Sequence, residues 1–138
     1  MMIIRDYMTR DVKSLQANAN LSQARDMMDS EKIRQIPVVD ANNQLVGLVS
    51  KRDIYAASVS NLSENFERGK ALIEGRLMVS DVMTQNVASI SPDQRLADAA
   101  VKLQELRVGA LPVVEEGKLV GIISSSDFLG IAVMLLDK

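Results

Sequence analysis

The chain has no histidine and no cysteine among its 138 residues. It therefore cannot build a Ser-His-Asp triad, a thiolate nucleophile, a disulfide bond or a Cys/His zinc site. Aromatic residues make up only 3% of the sequence, and the formal net charge is −2. Nucleic-acid binding depends on positive charge and on aromatic side chains that stack on bases, so nucleic acid is not an expected partner.

Long apolar runs are also missing. The longest, at positions 130–136, is far shorter than the ~20 residues that cross a bilayer. The apolar start at positions 1–4 is too short for the core of a signal peptide. We therefore expect a cytoplasmic protein with no membrane partner. With 47% hydrophobic residues, the chain can form one ordinary domain, or two small ones that share a core.

An internal repeat organises the sequence. The tetrapeptide Asp-Tyr-Met-Thr at 6–9 returns as Asp-Val-Met-Thr at 81–84, and Ile-Pro-Val-Val at 36–39 returns as Leu-Pro-Val-Val at 111–114. Both offsets are 75 residues. Register kept over this length indicates a duplicated unit. Two further correspondences join Leu-Val-Gly-Leu-Val-Ser at 45–50 to Leu-Val-Gly-Ile-Ile-Ser at 119–124, and the closing Ser-x-x-Asp of 50–53 to that of 124–127.

Each copy is predicted to run strand, helix, strand, strand, helix. The first strands are expected at 12–15 and 87–90, and the hairpin strands at 38–39 with 45–49 and at 113–114 with 119–123. Asn20 and Gln23 have the spacing of a capping box at the first helix. The expected apolar stripes of these helices are Leu21, Ala24 and Met27/Met28 in copy one, and Leu96, Ala99/Ala100, Leu103 and Leu106 in copy two.

The domain boundaries follow from the repeat. Copy one is placed at 1–58, a helical connector at 59–75 and copy two at 76–138. Leu62, Phe66 and Ile73 in the connector have roughly helical spacing. Gly47 and Gly121 lie inside predicted strands, where glycine marks a close approach, here expected of a packed helix.

The Ser-x-x-Asp motif lies where the last strand of each copy turns into a helix. A structural interpretation is that the serine caps the helix and the acid faces its positive end. A binding interpretation uses the same geometry, because a helix start attracts phosphate. The carboxylates of Asp53 and Asp127 are then predicted to accept hydrogen bonds from ribose hydroxyls. The hydroxyls of Ser50, Ser124 and Ser125 are further candidates for phosphate or ribose contacts.

The residues inside the motif differ between the copies. Copy one has Lys51 and Arg52, which favour a phosphorylated ligand, whereas copy two has Ser125 and Ser126, which offer only neutral donors. A solvated basic pair is the alternative interpretation of Lys51 and Arg52.

Together these motifs resemble the CBS domain, and the duplication resembles a tandem CBS pair, or Bateman module, of the free-standing bacterial type. The resemblance implies an α/β fold of two β-α-β-β-α repeats that pack into one pseudo-two-fold module. It also implies binding of adenosine compounds such as AMP, ADP, ATP or S-adenosylmethionine in clefts between the repeats. By the same resemblance, the adenine meets Ser14 and Ser89 and the residues around the two prolines: Gln35, Ile36, Pro37, Ala110, Leu111 and Pro112.

The final helix, at 128–136, is apolar on all sides, so we expect a homodimer that covers it. The leading functional hypothesis is a regulatory sensor of an adenine nucleotide, read by an effector protein that no motif identifies. The alternative is a ligand-independent adaptor for dimerisation or partner docking. An enzyme is the least favoured hypothesis, because the acids that can be placed lie at helix starts, where the helix dipole keeps them ionised. No catalytic residue, metal site or cofactor is expected.

Overall fold

The computed structural model describes residues 1–60 and 75–137. The connector predicted at 59–75 therefore lies outside the described residues, apart from its ends. Within the described ranges, no helix combines the length and the apolar character needed to span a membrane.

The chain forms two compact units. The first-repeat unit is Lys13–Val87, and the second-repeat unit combines Met1–Val12 with Ala88–Lys138. Each unit therefore contains the Asp-x-Met-Thr tetrapeptide that precedes the other copy in sequence. We call these two tetrapeptides, at 6–9 and 81–84, the lead-in segments.

In the first-repeat unit, a three-stranded sheet has the order β1-β2-β3, with β1 parallel and β3 antiparallel to the central strand. The predicted hairpin is confirmed, but its first strand begins at Gln35, before the proline, and not at Val38 as expected. The elements are β1 (Leu15–Gln16), α1 (Leu21–Glu31), β2 (Gln35–Val39), β3 (Leu45–Ser50), α2 (Lys51–Ser60) and α3 (Val79–Val82).

In the second-repeat unit, β4 and β5 form an antiparallel pair, and Ile90 makes a parallel bridge to Val113 where β1 stands in the other unit. The first strands predicted at 12–15 and 87–90 were placed too early and too long. Hydrogen-bonded pairing begins only where the chain runs beside the central strand, at Leu15 in one unit and at Ile90 in the other. The elements are a 3-10 turn (Ile4–Asp6), α4 (Leu96–Leu106), β4 (Ala110–Glu115), β5 (Lys118–Ser124) and α5 (Ser125–Leu136).

The first helix of each copy packs through the predicted stripe. At the start of α1, Asn20 and Gln23 form the expected capping box: each side-chain oxygen accepts from the other residue's N–H at 2.9 Å. Leu106 is the exception to the stripe of α4, since it is 46% exposed in the last turn of the helix. The stripe residues that are buried are Leu21, Ala24 and Met28 in α1, and Leu96, Ala99 and Leu103 in α4.

Each unit has its own hydrophobic core, to which the chain around the lead-in segment contributes. Ile4 and Met8 are buried in the core of the second-repeat unit, and Val79 in that of the first. Arg5 adds a polar contact, because its guanidinium donates to Asp93 at 2.9 Å and to Glu115 at 2.7 Å. These carboxylates raise the pKa of Arg5, so it stays charged, but a pair this exposed adds little to stability.

Each lead-in segment crosses a strand at one of the two glycines where a close approach was predicted, Gly47 in β3 and Gly121 in β5. In the first-repeat unit, Thr84 and Leu48 exchange backbone hydrogen bonds of 2.8 and 3.0 Å. A Cβ atom at Gly47 would lie 2.5 Å from the Met83 Sδ and 3.1 Å from the Thr84 carbonyl oxygen. Gly121 stands in the same relation to Met8 and Thr9 in the second-repeat unit. The glycines therefore make room for the lead-in segments, and not for a packed helix as expected.

Replacing either glycine should destabilise the protein. We expect Gly47→Ala and Gly121→Ala each to lower the free energy of unfolding by about 1–3 kcal/mol, because the added methyl overlaps a methionine and crowds a carbonyl that is held in a bridge. The measurement is urea denaturation. Gly130→Ala in α5 is the matched control, since its Cβ meets nothing within 4 Å, and it should be neutral or gain ~0.5–1 kcal/mol. A Gly47→Ala protein as stable as the wild type would contradict this account of the crossing.

Candidate functional site

The predicted binding residues separate into two groups, each within one unit. The first-repeat site comprises Ser14, Gln35, Ile36, Pro37 and the helix start from Ser50 to Asp53. The second-repeat site comprises Ser89, Ala110, Leu111, Pro112 and the helix start from Ser124 to Asp127. The register of the hairpins decides which of these residues meet.

In the first-repeat site, Gln35 lies opposite Ser50 and Ile36 opposite Val49. The Lys51 N–H donates to the Arg34 carbonyl at 2.8 Å, which ties the first residue of α2 to the start of β2. The residues before the proline and the Ser-x-x-Asp motif therefore lie side by side.

The second-repeat site has the same construction. Ala110 lies opposite Ser124, and the Ser125 N–H donates to the Gly109 carbonyl at 3.0 Å. The start of α5 is therefore tied to the start of β4, as α2 is to β2.

The predicted serines of the first strand reach the same place. Ser14 and Ser89 immediately precede Leu15 and Ile90, which pair in parallel with the residue directly after each proline, Val38 and Val113. In the second-repeat unit, the Ile90 N–H donates to the Pro112 carbonyl at 3.1 Å. Three segments that are distant in sequence thus converge at the proline end of the central strand in each unit.

The residues before the prolines do not offer apolar side chains to a ligand. Ile36 is 0% exposed and Leu111 is 1% exposed, and both belong to the cores of their units. Pro37, Pro112 and Ala110 are also buried. Among these positions, only Gln35 keeps a partly exposed side chain.

The structural interpretation of the Ser-x-x-Asp motif is confirmed in copy one. The Ser50 N–H donates to Asp53 Oδ2 at 2.9 Å, and the Asp53 N–H donates to Ser50 Oγ at 3.0 Å. This bonding occupies one oxygen of the carboxylate. Within the described residues, Asp53 Oδ1 accepts no hydrogen bond, and the side chain is half-buried. An ionised carboxylate has about four acceptor positions in all, so the motif can cap the helix and still bind a donor.

Asp127 is held by a different set of donors. Its Oδ2 accepts from the Ser124 N–H at 2.8 Å and from the Ser124 hydroxyl at 3.2 Å, and that hydroxyl also lies 2.9 Å from Ser126 Oγ. Oδ1 of Asp127 again accepts no hydrogen bond from the part of the chain that is described. The hydroxyls of Ser124 and Ser126 are therefore already linked to each other and to the acid.

The basic pair of copy one divides into two roles. Lys51 Nζ lies 3.1 Å from Asp29 Oδ1, and both side chains are about half exposed. Arg52 is exposed and forms no ion pair with any residue in the described ranges. Of the two cations, Arg52 is the one whose charge is not already balanced by a neighbouring acid.

Sequence reasoning missed one charged residue of the second-repeat site. Lys102, on α4, donates from Nζ to the carbonyl of Ser89 at 2.8 Å. No sequence pattern pointed to it, because position 102 lies outside every motif and corresponds to Met27 of α1 in the first copy. Among the residues that the structure describes, no three acids gather closely enough to hold a metal ion.

Known proteins share both the sequence pattern and this architecture. The CBS domain-containing protein DDB_G0289609 of Dictyostelium discoideum is 30% identical over 98% of this chain and 94% of its own length. A Vibrio cholerae protein assigned to acetoin utilization (AcuB) is 36% identical with a TM-score of 0.83, covering 99% of this chain and 94% of that one. The CBS-pair protein CBSX2 of Arabidopsis thaliana, solved in complex with AMP, is 27% identical with a TM-score of 0.83, covering 98% and 99%.

Other relatives are much longer than this chain. It spans 41% of the Methanocaldococcus jannaschii protein MJ1225 and 24% of a homoserine O-acetyltransferase from Methanococcus vannielii, each 32% identical over the matched part. The match is therefore to one part of those proteins. A family model of the CBS domain matches residues 4–60 and 79–133, in line with the duplicated motifs and the repeated strand register. The chain belongs to the CBS domain family and carries two CBS repeats.

Proposed function

We propose that this chain is a regulatory module that binds an adenosine derivative, with the first-repeat site as its main nucleotide site. The observation that carries the proposal is the Asp53 carboxylate. One of its oxygens is fixed by the Ser50 amide, and the other accepts nothing from the described residues. A fixed acceptor at a helix start suits the vicinal hydroxyls of a ribose. The complex of CBSX2 with AMP, in a protein of the same family, supports the choice of ligand.

The base is placed beside the residues before the proline and next to Ser14. Because the Ile36 side chain is in the core, contact at this position is through the backbone, with the side chain of Gln35 beside it. Backbone groups can pair with the edge of adenine, which carries both donors and acceptors. Ala110, Leu111 and Ser89 take the corresponding places in the second-repeat site.

Charge distinguishes the ligands that the two sites accept. Arg52 can contact phosphate oxygens in pairs, so the first-repeat site suits AMP, ADP or ATP. The helix start of the second-repeat site presents Ser124, Ser125 and Ser126, whose neutral hydroxyls suit a ligand with less phosphate charge than ADP or ATP. A bound ligand then favours one conformation of the module, which an effector protein reads.

The carboxylate proposal is tested with a ligand panel and one conservative variant. AMP, ADP, ATP and S-adenosylmethionine are screened by thermal unfolding. A ligand at a hundred times its Kd adds about 2.7 kcal/mol, which is about 7–10 °C for a chain of this size. Asp53→Asn keeps an oxygen for the Ser50 amide but turns a donor toward the ribose. It should cost about 1–3 kcal/mol of binding by calorimetry.

The control is a 2′,3′-dideoxy analogue of the best ligand, which should bind the wild type about as weakly as the parent binds Asp53→Asn. If the analogue binds the wild type as tightly as its parent does, the ribose contact is wrong. If no member of the panel shifts the melting temperature, the sensor proposal fails and the adaptor function is favoured.

The two basic residues of copy one should have unequal effects. Arg52→Ala is expected to weaken AMP about 10-fold or more, because a hydrogen bond to a charged group contributes about 1.5–3 kcal/mol. Lys51→Ala should change the affinity less, since this ammonium is already paired with Asp29. Adenosine, which lacks the phosphate, should bind all three proteins alike. Equal losses of AMP affinity in the two variants would refute the assignment.

A second candidate function, dimerisation independent of ligand, is favoured by the surface of α5. Leu129 is 69% exposed and Leu136 is 83% exposed. Val133, Met134 and Leu135 are exposed on the same helix. We propose that a second copy of the chain covers this helix, because burying apolar area of this kind stabilises association.

The dimer is tested by light scattering coupled to gel filtration. The wild type should elute as a dimer at micromolar concentration, and Leu129→Glu with Val133→Glu should elute as a monomer. Val101→Glu is the control, since Val101 is an exposed apolar residue of another helix, α4. A monomeric wild type, or a control that dissociates as fully as the α5 variant, would exclude this interface.

A further inference from the structure

The two sites differ at the carbonyl group that precedes the first strand. In the second-repeat site, Lys102 Nζ donates to the Ser89 carbonyl at 2.8 Å, in a part-buried position. In the first-repeat site, the carbonyl of Ser14 accepts no hydrogen bond from any residue in the described ranges. These carbonyls correspond, because Leu15 pairs with Val38 as Ile90 pairs with Val113.

Helices α1 and α4, which are equivalent in the two copies, carry different residues at one equivalent position. The 75-residue offset that relates α1 to α4 places Met27 where the second copy has Lys102. A methionine side chain donates no hydrogen bond, whereas a lysine ammonium has three donors and no acceptor. Only one donor of Lys102 is used in the bonds that the described residues make. The first-repeat site thus presents an acceptor at this point, and the second-repeat site presents donors.

We propose that Lys102 gives the second-repeat site a preference for purines with an oxygen at C6, while the first-repeat site prefers purines with an amino group there. The inference rests on the proposed function, which places the base beside Ser14 and Ser89. An amino group at C6 donates to the free Ser14 carbonyl. At Ser89 the same amino group faces an ammonium, so two donors oppose each other, whereas a C6 oxygen accepts from Lys102.

The preference is expected to be substantial because one of the partners is charged and partly removed from water. Hydrogen bonds to charged groups are stronger than neutral ones, and low local polarity strengthens them further. The module would then report on two purine classes at once, with the first-repeat site reading an aminopurine nucleotide and the second an oxopurine nucleotide or nucleoside.

The test compares AMP with IMP, which carry the same ribose and phosphate and differ at C6 and in the protonation of N1. The backbone amides of Leu15 and Ile90 report the two sites separately in NMR titrations. In the wild type, IMP should shift the Ile90 amide at a concentration about 10-fold lower than AMP does, and the order should reverse at Leu15.

Reciprocal variants separate the lysine from the rest of the site. Lys102→Met should abolish the IMP preference at Ile90, and Met27→Lys should create one at Leu15. Lys102→Arg keeps a charged donor and should retain the preference. Lys102→Met and Met27→Lys each introduce the residue that the other copy has at the equivalent position, and Lys102→Arg keeps the wild-type charge. Dispersed amide spectra check that each variant folds.

The outcomes distinguish the inference from the function on which it rests. If both nucleotides bind but Lys102→Met leaves their order at Ile90 unchanged, or if wild-type Ile90 responds to AMP first, the role of Lys102 is refuted and nucleotide binding stands. If neither nucleotide shifts either amide at millimolar concentration, the proposed function is refuted, and the inference with it.

Discussion

The fold of each unit depends on a backbone crossing that leaves no space for a side chain. Met83 and Thr84 run across β3 at Gly47, and Met8 and Thr9 run across β5 at Gly121. The contact joins the lead-in segment of one copy to the Leu-Val-Gly strand of the other, so each unit is built from parts of both copies. Because the crossing also brings Met8 into the second core, it connects backbone pairing with hydrophobic burial in a single place.

The sequence predicts the local structure well and the long-range partners poorly. The capping box at Asn20 and the pairing of the hairpin strands were predicted because they depend on residues close together in sequence. The identity of the segment that crosses Gly47 was not predicted, since no local pattern says that Met83 packs there. The first strands were drawn too long for the same reason: their pairing starts only where a neighbouring strand is available, which periodicity alone does not reveal.

The candidate site shows a similar division. The Ser-x-x-Asp motif predicts that Asp53 lies at a helix start. The structure adds that the cap occupies Oδ2 of this carboxylate, and that Oδ1 accepts no hydrogen bond from the described residues. The residue type of Ile36 does not say whether its side chain meets a ligand, because a buried strand residue and a ligand-facing one look alike in sequence, and the structure places it in the core. Lys102 was missed because it lies on a helix far from every motif, and only its contact with Ser89 brings it to the site.

The segments of chain that form each unit also set the order in which a growing polypeptide can fold on the ribosome. The first-repeat unit is one continuous stretch, Lys13–Val87, so all its contacts become available once that stretch has emerged. The second-repeat unit must wait, since Arg5 and Glu115 meet across 110 positions of sequence. Until then the apolar side chains of Ile4 and Met8 lack the core that buries them. This segment therefore stays unburied until most of the second repeat has been synthesised.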